Sequence, residues 1–403
     1  MIWRPAITIV NARVVSHQGD ADSLRFTTRV LGVGDRPRAG DLVIDARGAF
    51  ILPGLINAHD HLELNHYGRL KSRDRYANVS EWIDDMRPRI AADAAIREGR
   101  SRPLSDRLFI GALKNLLAGV TTVAHHNPYY RELRRAMPVR VLKRYGWAHS
   151  FALERRPAGA KGEPGGDVQE RFRATASDVP FFVHLAEGVD AAARDEVTRL
   201  EAIGCLAANT VAIHGVAIDA AGWRRIARAN AGVVWCPASN VFLFGETIQV
   251  DRAAQAAADR IVIGTDSRLT GSRDLLDELR IAYESSTIAR EHLIPMVTWR
   301  AADMIRQPQL GRLTAGAPAD FVVLPPVADA AIDTLLSTAR RDVALVVVGG
   351  RPMVGDAMFE RVFTARASHP RPLCVDGATK IADGALAARI AACPIVEPGV
   401  SAS

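Results

Sequence analysis

Cysteine is scarce, with four in 403 residues. Cys205, Cys236, Cys374 and Cys393 lie far apart, so the sequence offers no CxxC metal site and no disulfide framework, a pattern that fits reduced thiols in a cytoplasm. Long apolar runs are also missing. No stretch reaches about 18 consecutive apolar residues, which argues against a membrane span. The start, Met1-Ile2-Trp3-Arg4-Pro5, has no basic region followed by an apolar one, so no secretory leader is expected. A basic stripe is absent as well. The net charge is +6, but 51 Lys and Arg are interleaved with 45 Asp and Glu, and no nucleic-acid partner is expected.

What is present fits a soluble α/β protein. Hydrophobic residues make up 48% and charged residues 24%, and the length exceeds what one core organises, so a large domain and a smaller one are expected. Residues 1–50 hold short β-rich runs, Ile7–Val10 and Asp41–Asp45. Between 51 and 305, apolar runs of buried-strand length alternate with helical stretches: Val120–Val123, Phe181–Val183, Thr210–Ile213, Val233–Trp235 and Ile261–Ile263. One helix is expected over Asp190–Ile203, capped by Asp190 and stopped by Gly204; another follows Asp219 and ends near Gly232, and a third starts near Ser80. With Ile51-Leu52 taken as the first strand, and the third and fourth sought in Val139–Leu142 and Trp147–Leu153, the total approaches that of a (β/α)8 TIM barrel. Ala160–Gly166 reads as an exposed loop.

Beyond 305 the pattern returns to β, in Asp320–Leu324 and Ala344–Gly350. The expected organisation is therefore a small β-sandwich domain from both chain ends (1–50 and 306–365), a barrel over 51–305, and a C-terminal extension over 366–403. That extension reads as one helix, Gly377–Ala392, and a loose end.

Histidine position carries the chemical signal. His59-Asp60-His61 follows the apolar run Phe50–Ala58, and side chains two apart on a strand share a face. His184 follows Phe181–Val183, His214 follows Thr210–Ile213, and Asp266 follows Ile261–Thr265. Each polar group thus sits at the C-terminal end of a strand, the rim where barrel enzymes hold catalytic groups. Neutral imidazoles and a carboxylate suit a borderline divalent cation, zinc first, with iron and manganese served by the same donors. Glu187 falls just past the strand end, over the mouth. His125-His126 ends another strand, and only one of two neighbours points inward, toward substrate or behind the ligands. Asn240, after the seventh strand, reads equally as a turn cap or a substrate contact. His149 and Trp147 are weaker candidates for the mouth.

Several segments together resemble the amidohydrolase superfamily, in the branch of cytosine deaminase, guanine deaminase and the triazine hydrolases. They are Pro53–His61, Gly119–Val123, His184–Glu187, Ile213–Gly215, Cys236–Asn240, Gly264–Ser267 and Gly311–Asp320, in correct order. The resemblance implies one metal ion held by His59, His61, His184 and Asp266. It also implies a proton shuttle at Glu187, and a His214 that holds the water or the developing oxyanion. No lysine ends a strand in the bridging position of the family's dinuclear members, Lys143 and Lys161 being poorly placed. The implied activity is hydrolysis of a non-peptide carbon–nitrogen bond by a metal-bound hydroxide, deamination of a small aminated heterocycle foremost. Opening of a cyclic amide, or displacement of another leaving group on the same scaffold, is the alternative, and a silent binding scaffold the remote one. A homodimer is the default expectation.

Overall fold

The computed structural model describes residues 5–134, 137–151, 168–249 and 257–402. Eight strands run parallel in chain order. Three form one sheet, β1 (Leu55–Asp60), β2 (Val120–His125) and β3 (Arg140–Val141); five form another, β4 (Gly146–Ala148), β5 (Phe181–Leu185), β6 (Thr210–His214), β7 (Gly232–Trp235) and β8 (Ile261–Ile263). Strands β1, β2, β5, β6, β7 and β8 are buried along their whole length, which is why their sequences read as continuous apolar runs rather than alternating ones.

The end of β8 returns to β1. The amides of Thr265 and Asp266 both donate to the carbonyl of His59, at 3.0 and 3.1 Å. Gly264 makes this approach possible, because a Cβ there would fall 2.7 Å from His59 Cβ and 2.8 Å from its amide nitrogen.

The expected helices form where their caps predict. Asp190 accepts from the amide of Ala193 at the start of Ala191–Ala202, and Gly204 follows with φ +72°. Asp219 accepts from Gly222 at the start of Ala220–Ala229, which stops on Asn230 in the left-handed region. Asn78 caps Val79–Ala92. Among the described residues no helix is long and apolar enough to cross a membrane.

Two assignments need correction. Ile51-Leu52 is not the first barrel strand. Phe50–Pro53 pairs antiparallel with Phe321–Leu324 in a separate sheet, and Gly54 marks the change of partner. Its amide donates to Asp320, whereas that of Leu55 donates to Gly119. The run from 50 to 58 is apolar on both sides of this switch, so composition gives no break. The C-terminal segment is also not a helix with a loose end. Arg371–Val375, Ala378–Ala382 and Val400–Ala402 are strands, and the helix shortens to Gly384–Ala391. These strands extend the sheet of Phe50–Pro53 and Phe321–Leu324 to eight members. A four-stranded sheet (Val30–Val33, Leu24–Phe26, Ile7–Val10, Leu42–Asp45) shares a core with it through Ile7, Phe26, Ile51, Phe321 and Val347. Ala160–Gly166 and Lys161 lie outside the described residues.

Gly264→Ala is expected to destabilise the fold by about 1–3 kcal/mol in urea unfolding, since the added methyl meets backbone and Cβ of a neighbouring strand. Unchanged stability would show that the β8–β1 contact has room to yield.

Candidate metal and catalytic site

The predicted residues converge at the C-terminal ends of the parallel strands. Ligand atoms of His59, His61 and Asp266 lie within 4.8 Å of one another, as do those of His59, His184 and His214. His59 belongs to both groups. His61 Nε2 and His59 Nε2 are 3.8 and 3.9 Å from Asp266 Oδ1.

The tautomers follow from the bonds. His184 Nδ1–H donates to the carbonyl of His149 at 2.8 Å, and His214 Nδ1–H donates to Asn240 Oδ1 at 2.9 Å. Each leaves Nε2 as the lone-pair nitrogen. His59 is fully buried, and neither of its ring nitrogens has a hydrogen-bond partner. Burial and the neighbouring imidazoles hold its pKa well below the usual range, and the same causes keep His184 neutral. A buried, neutral imidazole with no bond, grouped with others and a carboxylate, fits a divalent cation.

The two carboxylates differ in charge. Burial, then the charge of Asp266, raises the pKa of Glu187 well above the usual value, which favours its protonated form. Burial would raise Asp266 too, but His61, His214, the Thr270 hydroxyl and the Ser267 amide outweigh it and leave it ionised. Ser239 Oγ and Thr270 Oγ1 donate to Asp266 Oδ2 at 2.9 and 2.7 Å. Glu187 Oε1 lies 3.3 Å from His214 Nε2.

Above these groups is a cavity of about 200 Å³. Leu64, Val79, Trp82, Ile83, Leu243 and Leu269 give it an apolar wall; His61, His184, Glu187, His214 and Asp266 face it from the strand ends. The helix Val79–Ala92 roofs it. The Val79 amide donates to the Glu187 carbonyl at 3.0 Å, and Trp82 Nε1 donates to Leu70.

Neither substrate candidate lines the cavity. His125 turns away, its Nδ1 accepting from the Leu62 amide, while His126 joins the cluster with its ring centroid 4.4 Å from that of His184. A bulge in the β1–β2 pairing between Asn57 and Asp60 shifts the register there, so the inward member of the doublet is not set by counting. Asn240 is buried behind His214 and does not line the cavity. His149 does line it, and Trp147 packs against His149. Lys143 is exposed. Sequence reasoning left open which member of the His125-His126 doublet turns inward, and it passed over the wholly buried Lys114, which had no signal.

A (β/α) scaffold with imidazoles and one aspartate at its strand ends is the architecture of metal-dependent hydrolases. Residues 182–353 match the model of the Amidohydrolase family. It is 26% identical over 399 residues to a 5-methylthioadenosine/S-adenosylhomocysteine deaminase of Halobacterium salinarum, covering 84% of this chain and 89% of the relative. In structure it resembles the zinc complex of an atrazine chlorohydrolase from Arthrobacter aurescens TC1 (TM-score 0.67, 19% identity, 90% and 99% of the two chains). It also resembles a zinc-bound adenosine deaminase from Xanthomonas campestris (TM-score 0.65, 17% identity, 90% and 98%). The fold is thus TIM-barrel-like.

His59→Ala is expected to lower bound divalent metal by on the order of tenfold or more in elemental analysis of the purified protein. Wild-type metal content in the variant would remove His59 from the ligand set.

Proposed function

We propose that this chain is a metal-dependent hydrolase that deaminates an aminated heterocycle. The observation that carries the reading is geometric: Glu187 and Asp266, whose surroundings push their pKa values apart, both stand at one cluster of imidazoles, Glu187 against His214 and Asp266 against His61. Two carboxyl groups held in opposite states by their surroundings are an acid and a base. The relatives' names, deaminases of adenosine derivatives, support the same reaction class, and an intact donor set speaks against a silent scaffold.

His59, His61, His184 and Asp266 would hold the cation, a donor set that suits zinc, the ion bound in the structural neighbours. When bound, it supplies an acidified water and a positive charge beside the reacting carbon. Asp266 accepts the proton of the attacking water. Glu187 delivers its proton to the nitrogen that leaves. The water oxygen ends on the carbon, the C–N bond breaks and the amino group departs as ammonia. His214, its Nδ1–H fixed on Asn240, keeps Nε2 beside Glu187 and orients it. The apolar wall favours a flat ring stacked between the roof helix and the strand ends.

The finer architecture belongs to this reading. The eight parallel strands form a (β/α)8 barrel over about 55–305, and the two flanking sheets form a β-sandwich from residues up to about 54 and the whole chain after about 306, supported by the shared core. None of the four cysteines forms a disulfide, which suits a cytoplasmic setting.

Ammonia release from a panel of purines, pyrimidines and triazines is expected from the metal-loaded protein; ring-opened product without ammonia would reject deamination. Glu187→Gln is expected to lower kcat by about 10²–10⁴-fold with metal content unchanged. Activity near wild type would take the proton transfer away from Glu187.

A further inference from the structure

Behind the cluster, on the side away from the cavity, lies a buried polar network that the reaction above does not use. Lys114 is on the helix Leu104–Leu117, and its ammonium is wholly buried. It lies 3.1 Å from Asp60 Oδ2 and donates to Asn65 Oδ1 at 2.7 Å and to Thr265 Oγ1 at 3.2 Å. These partners have telling positions. Asp60 stands between His59 and His61, Asn65 follows them in the next turn, and Thr265 immediately precedes Asp266.

The rest of the network ties the same two arms. Asn115 Nδ2 donates to Asp60 Oδ2 at 2.7 Å, and Asn65 Nδ2 donates to Asp60 Oδ1 at 2.7 Å. Asn57 Nδ2 donates to Thr265 Oγ1 at 2.8 Å, and its Oδ1 accepts from the Thr265 amide at 3.1 Å. Asn65 Oδ1 also accepts from the Arg268 amide, two residues past Asp266. Charge balance alone would need only Lys114 and Asp60. The further bonds to Asn65 and Thr265 fix where the ends of β1 and β8 stand relative to each other.

We propose that Lys114 is a positioning residue: one buried ammonium presets the spacing between the His59-Asp60-His61 arm and the Asp266 arm, and thereby sets how tightly the site holds its divalent cation. The inference rests on the metal site proposed above. It concerns retention of metal, because Lys114 does not line the cavity. Partners behind metal ligands typically govern affinity by about 10–100-fold.

The test compares zinc affinity, by competition with a chromogenic chelator, and thermal stability in four proteins: wild type, Lys114→Met, Lys114→Met/Asp60→Asn, and Thr265→Val. Lys114→Met is expected to lose about 10–100-fold in zinc affinity together with stability, since it strands a buried carboxylate. The double variant removes that charge. It is expected to regain stability while its zinc affinity stays low, which a purely structural role would not produce. Thr265→Val, which leaves the Lys114–Asp60 pair intact, is expected to weaken zinc in the same direction and gives the answer if Lys114→Met does not fold. Recovery of affinity and stability together in the double variant would overturn the proposal, leaving Lys114 a mere counter-charge. Wild-type affinity in all three variants, with metal bound to the wild type, would overturn it alone. A wild type that binds no zinc would overturn the metal site and this inference with it.

Discussion

A buried imidazole with neither nitrogen bonded forfeits its hydrogen bonds to water, a cost of about 1–3 kcal/mol for a neutral polar group. His59 is in that state, packed among His61, His126, His184 and His214. In the proposed site, a cation at this point would turn the cost into a gain and lower the pKa of the groups near it. His184 and His214 already have their Nδ1 hydrogens committed elsewhere, so Nε2 of His184 is left to the cluster and Nε2 of His214 stands beside Glu187. Five strands, β1, β2, β5, β6 and β8, end in this cluster, so the site and the parallel sheet arrangement depend on one another.

The backbone shows where that convergence is forced. Ala186, His214 and Asp266 have φ of 54°, 75° and 53°, in the left-handed region that non-glycine residues seldom adopt. Such residues cost of order 1–3 kcal/mol each and persist only where the surroundings hold them. Here they are held. Asp266 N donates to the His59 carbonyl, Asp266 Oδ1 accepts from Ser267, and the amide of Ala186 donates to the buried Glu196. Each of these residues directs the chain off a strand end, and after Ala186 and Asp266 the next side chains, Glu187 and Ser267, line the cavity.

The strand-end histidines and Asp266 were legible because each follows an apolar run, and a polar residue there has few structural uses. Other features were hidden for definite reasons. Strands β3 and β4 span two and three residues, too short to carry a period. The switch at Gly54 is a change of hydrogen-bond partner inside a run that is apolar throughout. Lys114 and Asn115 are isolated polar residues in the buried, largely apolar second half of the helix Leu104–Leu117, and only its packing behind β1 and β2 brings them to Asn65. The hairpin of the C-terminal segment had a signal that went unused. Asp376-Gly377 joins Arg371–Val375 to Ala378–Ala382 with φ of 49° and 84°, the two-residue turn for which Asp-Gly is the strongest short-range cue.

That segment also reaches the site. Glu397, wholly buried, accepts from the guanidinium of Arg268 at 2.8 and 2.6 Å and pairs with Arg340. Arg268 in turn donates its amide to Asn65, so an unbroken polar path runs from the last strand of the eight-stranded sheet, through the loop after β8, to Asp60 between the first two imidazoles. Neither end of this path touches the cavity. Its effect is on freedom: the loop carrying Asp266 is anchored on one side to β1 and on the other to a sheet assembled from both chain ends. A carboxylate that must approach a cation and also take a proton from water has to be held within a fraction of an ångström. The outer sheet supplies that rigidity without contributing an atom to the chemistry.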